Sequence, residues 1–450
     1  MSYSDALMIT SGDEGLVRAI GLRRLIASIV NVTIGAGIFV LPAIVADGLG
    51  AAAPLAYVFC AAAMVLILIC FATAGSRVSL TGGLYAYVTV AFGRYVGFLT
   101  GILYTLASIF AVASVASAFA GSLAAVWPLL AAPAARAVII AGLFALLALV
   151  NIRGVTPSGR VIETVTVAKL LPLVVLIGAG LLYIGRHGSA MHVDPSWPPA
   201  SALGRTAMLL IFAFIGVEIA LVPSGEIRDP ARTVPRALFA ALGITTIVYV
   251  ALQYVAQALL GAELPAHAMA PLADAAGEVL GPRGRLLILG GAVVSMFGYV
   301  SGDMLGTPRA FFAFGRDGIL PRVFARVHPR FHTPDASIGV YAIFVATLAI
   351  SSSFTQLAVL ANVASLSLYL LCVAGSWELQ RRDVRTSGAP FSSPGGPIVP
   401  IAASAAILWL LAHATARELG IEALVLGVAS VFYAIRKAPT SSLPDVEPGV

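Results

Sequence analysis

The number and length of the apolar runs limit this chain more than any other feature. About twelve predominantly apolar stretches of roughly 18 residues or more can be marked. They lie near residues 23–46, 53–77, 94–125, 134–151, 158–185, 203–224, 236–260, 284–312, 335–353, 356–377, 396–416 and 418–436. Each is long enough to span a hydrocarbon core of about 30 Å as a helix. A membrane-spanning barrel would show short alternating segments instead. Charged residues make up only 11% of the chain, against about 25% in a soluble domain. The fold class expected is an all-α polytopic membrane protein with twelve transmembrane helices.

Charge placement gives an orientation. If the N-terminus lies in the cytoplasm, 20 basic residues fall on cytoplasmic loops and helix ends, 6 fall outside, and Lys169 falls within a span, which accounts for all 27. This is a strong positive-inside bias, and it puts both termini in the cytoplasm of a multi-pass cell-membrane protein. The net charge of +6 needs no nucleic-acid partner, because the arginines are spread over every cytoplasmic loop. Residues 1–22 are expected to be a cytoplasmic tail rather than a signal peptide, since a basic region followed by an apolar one is missing. Residues 437–450 are expected to be a second tail. Cys60, Cys70 and Cys372 all fall in apolar segments and read as small core residues. His187 and His192 are loosely spaced with no third ligand near, so no metal site or cofactor is expected. The polar interruptions at 186–202, 261–283, 313–334 and 378–395 are too short for a catalytic domain. No HExxH or GxSxG motif occurs. An enzyme is not expected. Scattered single charges also argue against a channel, which wants a polar ring through several helices.

Two spans carry glycines where a helix tolerates them least. Residues 33–39 read TIGAGIF, with Gly35 and Gly37 near mid-depth and Pro42 beyond. The sixth span, LLIFAFIGVEIALVPSGEIRDPARTVP, carries Gly216 at a similar depth and Pro223 beyond. Spans 1 and 6 are the first helices of two five-helix halves, 23–185 and 203–377, followed by helices 11 and 12 over 396–436. Matched interruptions in two halves point to a transporter binding site, because unwound backbone in hydrocarbon must line a cavity or be buried in protein. Half-helix N-termini suit a carboxylate, and freed carbonyls suit an ammonium. The competing reading is close helix packing through small residues.

NVTIGAGIFVLP resembles the first-helix signature of the amino acid–polyamine–organocation transporter superfamily. FAFIGVEIALVPSGEIRDPARTVPRA resembles its sixth helix and following loop. The resemblance continues through SGRVIETVTVAKLLPL, TPRAFFAFGRDGILP and PFSSPGGPIVP, over about residues 20–437. It implies a five-plus-five inverted repeat with discontinuous helices 1 and 6 and two extra helices. It implies an amino acid substrate whose carboxylate meets the backbone around Ile34, Gly35, Ala36 and Gly37. The amino group would meet carbonyls around Phe212, Ala213 and Ile215, with Phe212 at a gating aromatic position. Some relatives pair with a glycoprotein through an extracellular cysteine; none of the three cysteines here lies in such a loop, so no obligatory protein partner is expected.

Lysine occurs only at positions 169 and 437. Lys169 falls near the middle of span 5, where an isolated ammonium costs about 3 kcal/mol or more, so it must be paired, deprotonated or in water. It matches the helix-5 lysine that fills a sodium position in proton-coupled members of the superfamily, held by helix-1 carbonyls and a helix-8 hydroxyl. Ser295 matches that hydroxyl. Glu218, two residues past Gly216, stands where relatives carry an acidic residue, with a role in proton coupling or in a hydrogen bond across the unwound segment. Asp303 lies within span 8, with substrate recognition of a cationic side chain, pairing with an arginine such as Arg309, and proton coupling all open. Glu226, Arg228, Asp229, Arg232, Glu163, Arg309, Arg316 and Asp317 form either a cytoplasmic gate or a solvated surface. Gln253, Gln257, Tyr104 and Asn362 are polar positions inside spans; Tyr104 and Asn362 are candidates for the cavity wall. The function these features imply is secondary amino acid transport by alternating access, driven by proton symport. The alternative is an exchanger of cationic amino acids or polyamines with Asp303 as selector.

Overall fold

A computed structural model describes residues 20–78, 80, 82–154, 159–191, 198–222, 224–316, 320–385 and 390–435. His192, Pro223, Asp317, Lys437 and the tails 1–19 and 436–450 lie outside the described residues, as does the side chain of Glu163. Long apolar runs in lipid satisfy their backbone groups as helices, and helices carry most of the described residues. One isolated bridge joins Ile20 to Ile227.

The helices are α1 Leu22–Thr33, α2 Gly37–Leu49, α3 Ala53–Arg77, α4 Leu84–Phe92, α5 Arg94–Val126, α6 Pro133–Ile152, α7 Gly159–His187 and α8 Ala200–Leu210. They continue with α9 Val217–Leu221, α10 Pro230–Leu260, α11 Pro271–Gly306, α12 Pro308–Arg316, α13 Asp335–Ser351, α14 Phe354–Arg381, α15 Ile398–Leu411 and α16 Ala416–Ile435. Among the described residues nine helical stretches are long and apolar enough to cross a membrane, and α13 and α15 are shorter apolar helices.

Helix α5 is the most enclosed of the long helices. Ala111, Ala113, Ser114, Ala116, Ser117 and Ala120 are buried along it. Such small residues let neighbouring backbones approach closely, which substitutes for the hydrophobic force that is missing between helices in lipid. Helices α11, α13 and α14 pack on α5, and α10 packs on α3. Helix α16 is the least buried of the long apolar helices among the described residues, and its exposed Leu424, Val428 and Phe432 suit lipid.

Two stretches outside the apolar spans are helical. The polar interruption at 261–283 is largely helical: 3-10 turns run over Gly261–His267, and α11 already starts at Pro271, kinking at Gly281 (φ 66°) before Pro282. Its first turns bury Leu272, Ala273, Ala275 and Ala276, while Asp274 bonds His267 and Arg285 and Glu278 is exposed, so the segment is amphipathic and less apolar than the spans without ceasing to be helix. Likewise α4, between Gly83 and Gly93 at positive φ, was not anticipated as an element. Pro42 lies inside α2, and the interruption of the first span falls at the glycines, over 34–36.

Candidate functional site

Both glycine-marked spans are discontinuous. Helix α1 stops at Thr33 and α2 starts at Gly37, with residues 34–36 irregular between them. Helix α8 stops at Leu210 and passes through a 3-10 turn, Ile211–Ala213; α9 resumes after Gly216, whose φ is 116°. The first N–H groups of a helix lack an i−4 carbonyl and its dipole places partial positive charge there; in α2 the Phe39 N–H turns back to Ala36 O at 3.0 Å.

The breaks touch each other. A Cβ on Gly37 would lie 3.0 Å from the Ala213 Cα, and one on Gly216 would lie 3.0 Å from the Val32 carbonyl oxygen. A side chain at either position would sit tightly against backbone, and at Gly216 the left-handed conformation favours glycine as well. Gly35 is different: a Cβ there would make ordinary contact with the Tyr299 ring at 3.6 Å. Beside the breaks lies a small cavity lined by Val32, Thr33, Gly35, Ala36, Gly37, Ala111, Val115, Phe212, Ile215 and Tyr299. Its free volume is about 10 Å³, close to what a single water needs. A more open apolar groove lies between Leu181 and Tyr254, on the faces of α7 and α10.

Lys169 and Ser295 meet at the first break. The Lys169 Nζ donates to the carbonyl oxygens of Asn31 at 2.5 Å and Ile34 at 2.7 Å. Ser295 Oγ donates to Ile34 O at 3.0 Å and lies 3.3 Å from Gly35 O. Lys169 is 1% exposed. Interrupting the helix leaves these carbonyls without their i+4 donors, and an ammonium on α7 with a hydroxyl on α11 meets them instead.

Glu218 accepts from the Gly216 N–H at 3.1 Å and from the Tyr369 hydroxyl at 2.5 Å. This carboxylate spans the irregular turn of the second break and ties it to α14. Asp303 is met by hydroxyls. Its Oδ1 accepts from Ser108 at 2.5 Å and Thr307 at 2.7 Å, and its Oδ2 accepts from Tyr341. Asp303 does not line the cavity; Tyr299, one helical turn earlier on α11, does. Ile34 and Ala213 are buried in the breaks behind the lining residues. Tyr104 and Asn362 lie off the cavity wall. Asn362 donates instead to Met208 O at 2.6 Å and Leu209 O at 3.3 Å, capping carbonyls at the end of α8. Gln253 and Gln257 donate to Pro42 O at 3.2 Å and Gly50 O at 2.7 Å.

Of the charged loop residues, Arg232 approaches Asp229 only at 3.9 Å, both exposed, while the backbone of Glu226 and Arg228 pairs with Ile20. A tighter contact is Arg77, 4% exposed at the end of α3, on Asp383 at 3.3 Å. The tyrosines that meet the buried carboxylates, Tyr341 and Tyr369, escaped sequence reasoning, as did Tyr249 and Tyr299. A signal was present: Tyr299–Asp303–Thr307 and Tyr249–Gln253–Gln257 each place polar groups four residues apart on an otherwise apolar helix, one face of it.

A match to the family described as amino acid permease extends over residues 20–429. A branched-chain amino acid permease of Bacillus subtilis is 27% identical over 428 residues, 89% of this chain and 88% of its own length. A serine/threonine exchanger of the same organism is 27% identical over 440 residues, 95% of this chain and 99% of its own length. An uncharacterized transporter of Mycobacterium tuberculosis is 30% identical over 452 residues, 97% of this chain and 95% of its own length.

Proposed function

The chain belongs to the amino acid permease family, a multi-pass membrane protein of amino acid transport, and from that premise we propose a proton-coupled symporter working by alternating access. The amino acid carboxylate is held at the N-terminus of α2 by backbone around Ile34, Gly35, Ala36 and Gly37. The ammonium is held by backbone around Phe212, Ala213 and Ile215. Twelve spans, two five-helix repeats over 23–185 and 203–377, a final helix pair over 396–436 and cytoplasmic tails at both ends complete the proposal. The side-chain wall supports a neutral substrate: apart from Thr33 and Tyr299, the residues lining the cavity are apolar or glycine, with no charged side chain among them.

The observation that carries the coupling is the Lys169 ammonium on Asn31 O and Ile34 O. Protonated, it joins α1, α7 and, through Ser295, α11 at one point. Deprotonated, it keeps at most two N–H donors and loses the charge that makes both bonds strong. The first break is then released from α7. In proteoliposomes an inward proton gradient is expected to drive uptake of labelled leucine and alanine in preference to arginine. Lys169→Ala is expected to leave residual uptake that ignores the gradient; uptake that still follows it would remove Lys169 from the coupling. Glu218 is a second candidate for a coupled proton, since its carboxylate ties the second break to α14.

A second reading keeps a specific observation of its own. Asp303 is a buried carboxylate without a cation partner among the described residues, one turn from the cavity-lining Tyr299. That suits exchange of a cationic amino acid or polyamine. Arginine taken up in preference to leucine, with the preference lost in Asp303→Asn, would favour it.

A further inference from the structure

Tyr249, on α10, is fully buried between the two breaks. Its hydroxyl lies 3.1 Å from the carbonyl oxygen of Thr33, the last residue of α1, and 2.9 Å from that of Ala213, the last residue of the 3-10 turn after α8. One hydroxyl thus addresses one acceptor from each interrupted helix. The ring is held edge-on by Phe214 at 5.4 Å and Tyr57 at 6.1 Å.

The same face of α10 continues outward. Gln253 and Gln257 stand four and eight residues on, one and two turns along the same face, and donate to Pro42 O and Gly50 O. Helix α10 therefore grips the first interrupted helix along its outer half, from the break to the end of α2. The opposite grip, Lys169 and Ser295 from α7 and α11, takes the same helix at Asn31, Ile34 and Gly35. The two grips differ in chemistry. One contains an ammonium that can give up its charge; the other consists of neutral donors.

We propose that Tyr249 is a positioning residue that pins the two breaks to each other and to α10, so that both halves of the substrate site stay in register while the Lys169 grip is released. The inference rests on the two breaks forming the substrate site. Direct contact at Gly37 and Gly216 sets how near the breaks come. It does not fix their sliding, because van der Waals contact has no direction and a hydrogen bond does.

Spin labels at Asp47→Cys and Ser201→Cys, both exposed positions near the outer ends of α2 and α8, read the register without any substrate, in a background where Cys60, Cys70 and Cys372 are replaced by alanine. Tyr249→Phe keeps the ring contacts and removes only the hydroxyl. It is expected to broaden the distance distribution, and to raise KM for the transported amino acid about three- to tenfold with Vmax within about twofold and the pH profile unmoved, the loss of about one hydrogen bond. Tyr249→4-aminophenylalanine, which restores N–H donors at the same place, is expected to return the distribution to its original width. A distribution that Tyr249→Phe leaves unchanged overturns the pin, whatever happens to uptake; so does a broadening that the amino variant fails to reverse. A chain that moves no amino acid while its distances respond to both variants would overturn the transport reading and leave the pin standing.

Discussion

Gly35 and Gly37 look alike in the sequence, and the structure separates them. Gly37 faces the backbone of Ala213, so Gly37→Ala overpacks two helix breaks and is expected to destabilise by about 1–3 kcal/mol. Gly216→Ala adds a left-handed backbone, costing about 1–2 kcal/mol, to a clash with Val32 O at 3.0 Å. It is therefore expected to lower the melting temperature in detergent more than Gly37→Ala. Gly35→Ala meets only the Tyr299 ring at 3.6 Å. It is expected to melt as the parent does, so that any loss of amino acid binding in it reports on ligand contact rather than fold; a lowered melting temperature would assign Gly35 to packing. Lys169 was legible because an ammonium in mid-span demands a partner. The partners of Asp303 were not, because Ser108 and Tyr341 come from α5 and α13, and nothing local says that those helices meet α11 there.

At the scale of elements, hydropathy located the long helices well and their ends poorly. Apolar character suits lipid, and the first turns of α11 instead turn their apolar residues, Leu272, Ala273, Ala275 and Ala276, into the protein. The two interruptions were legible because mid-span glycines with a proline beyond recur at matched depths in spans 1 and 6. Their exact extent was not, since Pro42 is tolerated within α2 and the break precedes it. Between α3 and the segment after α14, Arg77 and Arg385 both contact Asp383. The Arg385 guanidinium first, then that of Arg77, holds the Asp383 carboxyl below the usual carboxylate range. A lowered value means that this contact contributes fully above the ordinary carboxylate range and is lost only as pH falls through the lowered value. Between about pH 5 and 8 the pair does not change charge. Asp383→Asn is therefore expected to leave the pH profile of uptake where it is; a shifted profile would place a coupling proton at this strut.

For the whole molecule, the arginine asymmetry predicts cytoplasmic termini. A fluorescent protein fused after residue 450 is expected to fold and fluoresce in cells, and alkaline phosphatase inserted within 186–202 is expected to be active outside; the reverse pattern would invert the topology. With the amino acid bound beside the breaks, as proposed, the small free volume there of about 10 Å³ requires a change of shape to admit it. One further consequence comes from how sparingly the chain uses lysine. Of 450 residues only positions 169 and 437 carry it, and Lys169 is 1% exposed. Growth on isotopically labelled lysine would therefore give a magnetic resonance spectrum with two side-chain amine signals, one of them from the interior. The residue proposed to carry the proton can be watched directly in the unaltered protein, without mutation or chemical tag.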